Sequence, residues 1–263
     1  MAISLASLNR LSSPKPPRIV IYGPHGIGKN TFAGSAPKPV LINLEDGHPS
    51  GQIIDSFPKA ESFADVMDAM TALYSEQHDF ETLVVDSLDW LEPLIWAETV
   101  KRNNEANPSK VWNSIEDAGY GKGYVATLDV WREYLDAINA LRNDRGMAVI
   151  QTAHAEIKRF DSPETEPFDR YQIKLHKAAS ALVQEHADMV LFANFKTSVT
   201  KTDSGMKKVA RGVGAGTRAL YTEERPAFVA KNRHNLPPEL PLSWDAIASA
   251  MAASSADALQ AAA

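Results

Sequence analysis

The residues best able to do chemistry form one short stretch, Gly23-Pro24-His25-Gly26-Ile27-Gly28-Lys29-Asn30-Thr31. It fits the pattern G-x-x-x-x-G-K, in which glycines let successive backbone N–H groups turn inward around phosphate oxygens. The dipole of a following helix adds to the attraction, and Lys29 reaches the β- and γ-phosphates. The chemistry implied is nucleotide binding, with ATP and Mg²⁺ as cofactors. The pattern asks next for Ser or Thr, a hydroxyl ligand for Mg²⁺, and the chain has Asn30 instead, with Thr31 one place too late. An amide carbonyl is an acceptable oxygen for a hard cation but has a longer reach. The sequence therefore predicts intact phosphate binding with weakened Mg²⁺ binding and hydrolysis.

Three more polar residues follow apolar runs. Asp86 closes Thr82-Leu-Val-Val-Asp86, where an acid holds Mg²⁺ through water or simply caps the next helix. Glu45 follows Pro39-Val-Leu-Ile-Asn-Leu44 and could orient or activate an attacking water, or be a solvated turn acid. His154, after Met147 to Ala153, could sense a γ-phosphate or be structural.

These residues need a scaffold. Compact apolar runs at Arg18–Tyr22, Pro39–Leu44, Thr82–Asp86, Gly146–Gln151 and Asp188–Ala193 read as buried strands. Helical spacing marks Ser62–Tyr74, Trp90–Arg102, Tyr124–Asn143 and Leu175–His186, and a helix is expected to start at Thr31. Asn103–Gly123 and Lys158–Arg170 read as polar loops, Lys196–Arg218 as a hairpin turning at Asp203-Ser204-Gly205, and Ala227–Ala230 as a last short strand. The alternation predicts an α/β fold with a mostly parallel sheet flanked by helices, and ligands beyond the carboxyl ends of its strands. Residues 1–17 read as an arm, 18–245 as the core, and 246–263 as an alanine-rich flexible tail, a frayed helix or disordered.

The 263 residues allow one large domain, and 44% hydrophobic with 23% charged residues is ordinary for a soluble chain. With no cysteine, thiolate catalysis and cysteine-ligated zinc are excluded. No run approaches the roughly 20 apolar residues of a membrane span, so the expected partners exclude a membrane and the expected location is the cytoplasm. A net charge of −6 argues against a wholly basic surface while leaving room for a local basic loop.

Taken in order, Gly23–Lys29, Leu41–Glu45, Leu83–Ser87, the strand ending before His154, and Ala230-Lys-Asn-Arg233 resemble the motifs of the RecA-like ATPases, and cover roughly Arg18 to Arg233. The chain is most similar to the phage-encoded RecA-core proteins grouped with single-strand annealing proteins of recombination modules. That resemblance implies a RecA-like core with a C-terminal β-hairpin region, Glu45 as catalytic glutamate, Asp86 as ligand to a Mg²⁺-bound water, and His154 as a switch residue. It implies that Lys231 and Arg233 enter a neighbouring subunit's nucleotide site, so the working form would be a homo-oligomer, ring or filament, with nucleotide at its interfaces. It also implies single-stranded DNA as partner, bound by loops carrying Lys110 and Lys122 in one stretch and Lys158, Arg159, Arg170 and Lys174 in the other. A single-strand DNA-binding protein is a further implied partner, and the host cytoplasm the implied location.

Two alternatives stay open at this point: a nucleotide-gated loader or regulator with negligible turnover, and a P-loop enzyme acting on a small molecule.

Overall fold

A computed structural model of the protein describes residues 15–47, 51, 53–204 and 207–261, and side chains within these except 197–204, 207–215 and 257–261. Most of the expected N-terminal arm lies outside the described residues.

The centre is a sheet whose parallel part contains β1 (Arg18–Gly23), β2 (Pro39–Asn43), β3 (Asp55–Ser56), β4 (Thr82–Asp86), β5 (Ala148–Phe160) and β7 (Met189–Ser204). β8 (Lys207–Tyr221) and β10 (Glu239–Pro241) extend it antiparallel, giving the order β10-β8-β7-β1-β5-β4-β2-β3. β6 (Phe168–Ile173) pairs with the outer half of β5, and β9 (Lys231–Asn232) with the start of β7.

The predicted α/β class is therefore observed, and side-chain alternation explains it. Val20, Tyr22, Leu83, Val85, Val149 and Ala153 enter one core, against α2 (Phe63–Ser75), α3 (Leu88–Ala106), α4 (Lys122–Asp144) and α5 (Lys177–His186). Ile19, Ile21, Val84 and Ile150 enter a second core with residues of α1 (Lys29–Ala33) and α6 (Trp244–Ala261). Successive strand residues point to opposite faces, so strands covered on both sides must be apolar throughout.

Several expectations need correction. Lys158–Arg170 is a loop only over residues 161–167: its two ends belong to β5 and β6, which pair from Ala155↔Ile173 to Phe160↔Phe168 as an antiparallel ribbon. Charged residues fall on both strands of the ribbon, Arg170 buried among them while Ile157 is exposed, so the alternation that marks a half-buried strand is missing. Ala227–Ala230 is not a ladder strand. Its backbone makes isolated bridges, Ala227 O accepting from Tyr171 N–H at 2.8 Å and Phe228 exchanging bonds with Arg225, while the Tyr22 hydroxyl accepts from Val229 N–H at 3.0 Å and donates to Val229 O at 2.6 Å. Asn103–Gly123 holds the end of α3, a 3-10 turn at Ile115–Ala118 and the start of α4. The alanine-rich stretch from 246 is helical, as one of its two readings has it, but its start is not a free tail: α6 begins at Trp244, and Ile247 is buried in the second core. The β7–β8 hairpin is as predicted in pairing, up to Ser204↔Lys207, while Gly205 of its expected turn lies outside the described residues.

Candidate nucleotide site

β1 runs straight into the glycine loop. Gly23 is the strand's last residue, and a methyl group there would lie 2.2 Å from the Ala193 carbonyl oxygen of β7. Its glycine is required by strand packing, so the loop itself depends on Gly26 and Gly28, with φ of 70° and 108°. The N–H groups of Gly26, Ile27 and Gly28 donate to no carbonyl among the described residues. α1 begins at Lys29 rather than Thr31 and has only five residues, so the helix dipole expected to draw phosphate is small. The open N–H groups and Lys29 carry the attraction.

Lys29 is buried, and its ammonium donates only to the carbonyls of Gly23 and Pro24, each at 3.2 Å. Burial pulls its pKa below the ordinary lysine value, partly offset by the charges of Asp86, Asp89 and Glu45. A buried cation held by neutral oxygens is short of an anion. This donor set fits a phosphate chain.

The same sheet alternation brings the acids to the loop. Asp86 follows Val84 on the face that α1 covers, and Thr152 and His154 follow Ile150 on that face. Because β5 lies between β1 and β4, its residues bridge the glycine loop and Asp86. Asp86 Oδ1 accepts the Thr152 hydroxyl, and Oδ2 accepts Asn30 Nδ2 at 2.6 Å. Asn30 therefore presents its amide N–H to Asp86, which leaves its carbonyl oxygen as the atom available to a cation. Glu45, half-buried, lines the same cavity, and burial followed by the Asp86 charge raises its pKa, which makes it a stronger base.

His154 is held firmly. Its backbone N–H and ring Nδ1 both meet the Asp89 carboxylate, at 3.0 and 2.9 Å, and its ring lies against that of His25, centroids 4.0 Å apart. Burial alone would raise the Asp89 carboxyl, but the bonds from His154 and from Ser87 outweigh it and hold its pKa at about 2. The pairing with an ionised carboxylate puts the Nδ1 proton toward Asp89. Asp89 and Thr152 went unread in the sequence. Asp89 stands three residues past Asp86 and Thr152 two before His154, and only the strand register shows what they touch.

The cavity, of about 450 Å³, is bounded by His25, Gly26 and Gly28 to Thr31 of the loop, together with Glu45, Gly47, His154 and Arg218 of β8. Among the described residues no three His, Asp or Glu side chains converge as a metal cage. A cation here would take its remaining ligands from phosphate and water, as Mg²⁺ commonly does.

A family model described as an AAA domain matches residues 15–234, from before β1 through β9. The chain belongs to this AAA-domain family. No curated protein matches the sequence. The match and the sheet together make this AAA domain a P-loop NTPase core, the coarser part of what the resemblance implied.

The remaining predicted residues are scattered. Lys231 and Arg233 sit toward the amino-terminal end of the parallel strands, away from the glycine loop, where β9 pairs with Met189 and Val190 at the start of β7. The register sets Lys231 level with Val20 and Arg233 near Arg18, roughly 10 and 17 Å of strand from the end of β1 at the chain's own glycine loop. Lys231 Nζ donates to the carbonyls of Gln184, Glu185 and Ala187, capping α5, so its charge is committed within its own chain. Arg233 is half-exposed, 3.6 Å from Asp188. Arg170 is buried and bound to Glu224 at 2.6 Å, so it is not presented to a ligand as expected. Lys158 pairs with Glu156 at 2.6 Å, and Arg159 lies 3.8 Å from Asp161. Lys110 and Lys122 are exposed, as is Lys174, which lies 3.9 Å from Asp89 at the nucleotide edge. No helix among the described residues is long and apolar enough to cross a membrane.

Proposed function

We propose that the protein is an ATP-binding, slowly hydrolysing RecA-like ATPase that acts on single-stranded DNA in recombination, as in single-strand annealing. The single observation that carries nucleotide binding is Lys29, a buried ammonium with carbonyl partners only, beside glycine-loop N–H groups that no carbonyl satisfies. Lys29 and those N–H groups hold the β- and γ-phosphates; the Asn30 carbonyl and Asp86 would hold Mg²⁺, Asp86 by way of a water. Bound Mg²⁺ neutralises charge on the phosphate oxygens. Glu45 orients the attacking water and takes its proton. His154, fixed by Asp89 and with its ring tilted 30° against that of His25, passes a change at the phosphates to neighbouring segments in this reading.

The DNA reading is supported by a junction between the two stretches named for it. Tyr124, beside Lys122, stacks on His176, two residues after Lys174, with ring centroids 4.2 Å apart and planes 10° apart. Trp90, half-exposed, faces the cavity that Lys174 and His154 share. Exposed cations beside an exposed aromatic ring suit a single-strand backbone and its stacking bases. Within a homo-oligomer, Arg233 rather than Lys231 is the side chain free enough to reach a neighbour's nucleotide.

The test is ATP turnover with and without single-stranded DNA, in wild type and Asn30→Ser. A serine hydroxyl can bond Asp86 and still face a cation, so Asn30→Ser raises turnover about tenfold, and DNA stimulates both proteins. DNA binding weakens steeply with salt, as phosphate contacts require. No DNA binding at low salt, with or without ATP, would remove the recombination role and leave the nucleotide-gated loader as the better reading. Equal turnover in both proteins would sink the role given to Asn30.

A further inference from the structure

Arg218 belongs to neither the glycine loop nor the acids, yet it stands over the loop. A methyl group on Gly28 would lie 2.8 Å from its Nη1, so the guanidinium occupies the space that a side chain there would fill. Arg218 shares the sheet face of Leu220, which is buried in the second core with α1 residues. Among the described residues it has neither a carboxylate partner nor a hydrogen bond to a carbonyl. It lines the 450 Å³ cavity and also an adjoining recess of about 160 Å³, walled by Thr31 and Phe32 on one side and Leu242 to Asp245 on the other. The recess is smaller than the roughly 300 Å³ at which whole-ligand pockets begin, so it suits one part of a ligand.

The sheet order gives the direction. Asp86 and Glu45 lie on the β4 and β2 side of the glycine loop, and Arg218 lies on the β8 side. A nucleotide with its terminal phosphate and metal at Asp86 and Glu45 must run its other end toward β8.

We propose that Arg218 grips the α-phosphate of a bound nucleoside di- or triphosphate, and that the recess beside it takes part of the nucleoside. This rests on nucleotide binding at the glycine loop and adds its polarity. The segment Leu242–Asp245 lies beyond residue 234, where the family match ends, so this wall is supplied by the chain's own C-terminal part. Arg218 is then an anchor for ADP and ATP alike, and not a sensor of the γ-phosphate.

Calorimetric titration of wild type, Arg218→Ala and Arg218→Lys with ADP and with a non-hydrolysable ATP analogue tests this, with the unfolding temperature of each apoprotein as a check on folding. Arg218 is exposed, so the variants should unfold at the wild-type temperature. Arg218→Ala weakens both nucleotides equally, by about tenfold or more, as loss of a charged hydrogen bond implies. Arg218→Lys recovers part of the loss for both. Unchanged affinities in Arg218→Ala, or a loss confined to the triphosphate, would overturn the assignment while leaving nucleotide binding intact. Wild type that binds neither nucleotide would overturn the nucleotide reading itself.

Discussion

Replacing Lys29 by Met should lower the affinity for ATP about 100-fold while leaving the apoprotein at least as stable as wild type at pH 7. The two effects have one cause. Lys29 is buried with the carbonyls of Gly23 and Pro24 as its only partners, an arrangement that favours bound phosphate and disfavours the free protein. Removing one member of a buried charged pair costs about 2–5 kcal/mol of binding, and a 100-fold loss is about 2.7 kcal/mol. Methionine fills the volume of the lysine stem without a charge, so the apoprotein loses a desolvated ammonium. The pH dependence follows from the lowered pKa. Between that lowered value and the ordinary 10.5, the unfolded chain binds more proton at this position than the folded one. Wild-type stability therefore climbs with pH across that window relative to the variant, and the advantage of Lys29→Met disappears above it. Thermal unfolding of both proteins from pH 7 upward checks the sign. A variant clearly less stable than wild type at pH 7 would mean that Lys29 is a structural tie.

Asp86 should separate structure from chemistry through two substitutions. Its two oxygens bond the Asn30 amide and the hydroxyl of Thr152, which is fully buried. Asp86→Ala leaves that hydroxyl without a partner and opens a cavity, so it should cost about 2–4 kcal/mol of stability. Asp86→Asn can keep both bonds, because an amide oxygen accepts from Asn30 and a hydroxyl can accept as well as donate. It should stay within about 1 kcal/mol of wild type and yet lose the tightening of ATP by Mg²⁺, since the negative charge is gone. Denaturant unfolding and ATP titration with and without Mg²⁺ read the two effects. If Asp86→Asn kept the full Mg²⁺ dependence, Asp86 would have no part in holding the cation.

The glycine loop and the two acids were legible in the sequence because each follows an apolar run, and a parallel sheet places such run ends together. Thr152 and Asp89 were hidden because their importance lies in register: Thr152 matters only once β5 is known to separate β1 from β4. Arg218 stood among several basic hairpin residues, and only the pairing of β8 beyond β7 brings it over Gly28. The β5–β6 ribbon read as a loop because charged residues interrupt its alternation and prolines stand at its turn. The stretch from 246 read as a frayed helix or disorder because its buried anchor, Ile247, lies in the first turn of α6 and the rest shows little apolar periodicity. Lys231 looked free because a sequence does not show which helix end a lysine will cap.

What remains of the glycine loop after these assignments is a specific claim: Gly26 to Lys29 hold a phosphate chain whose far end points to β8. The most direct measurement is equilibrium titration of the wild-type protein with ATP in the presence of Mg²⁺, with Lys29→Met as control. Saturable binding of one ATP per chain is expected, weakened about 100-fold in the control. Binding of equal strength in both proteins, or none in the wild type, would contradict it.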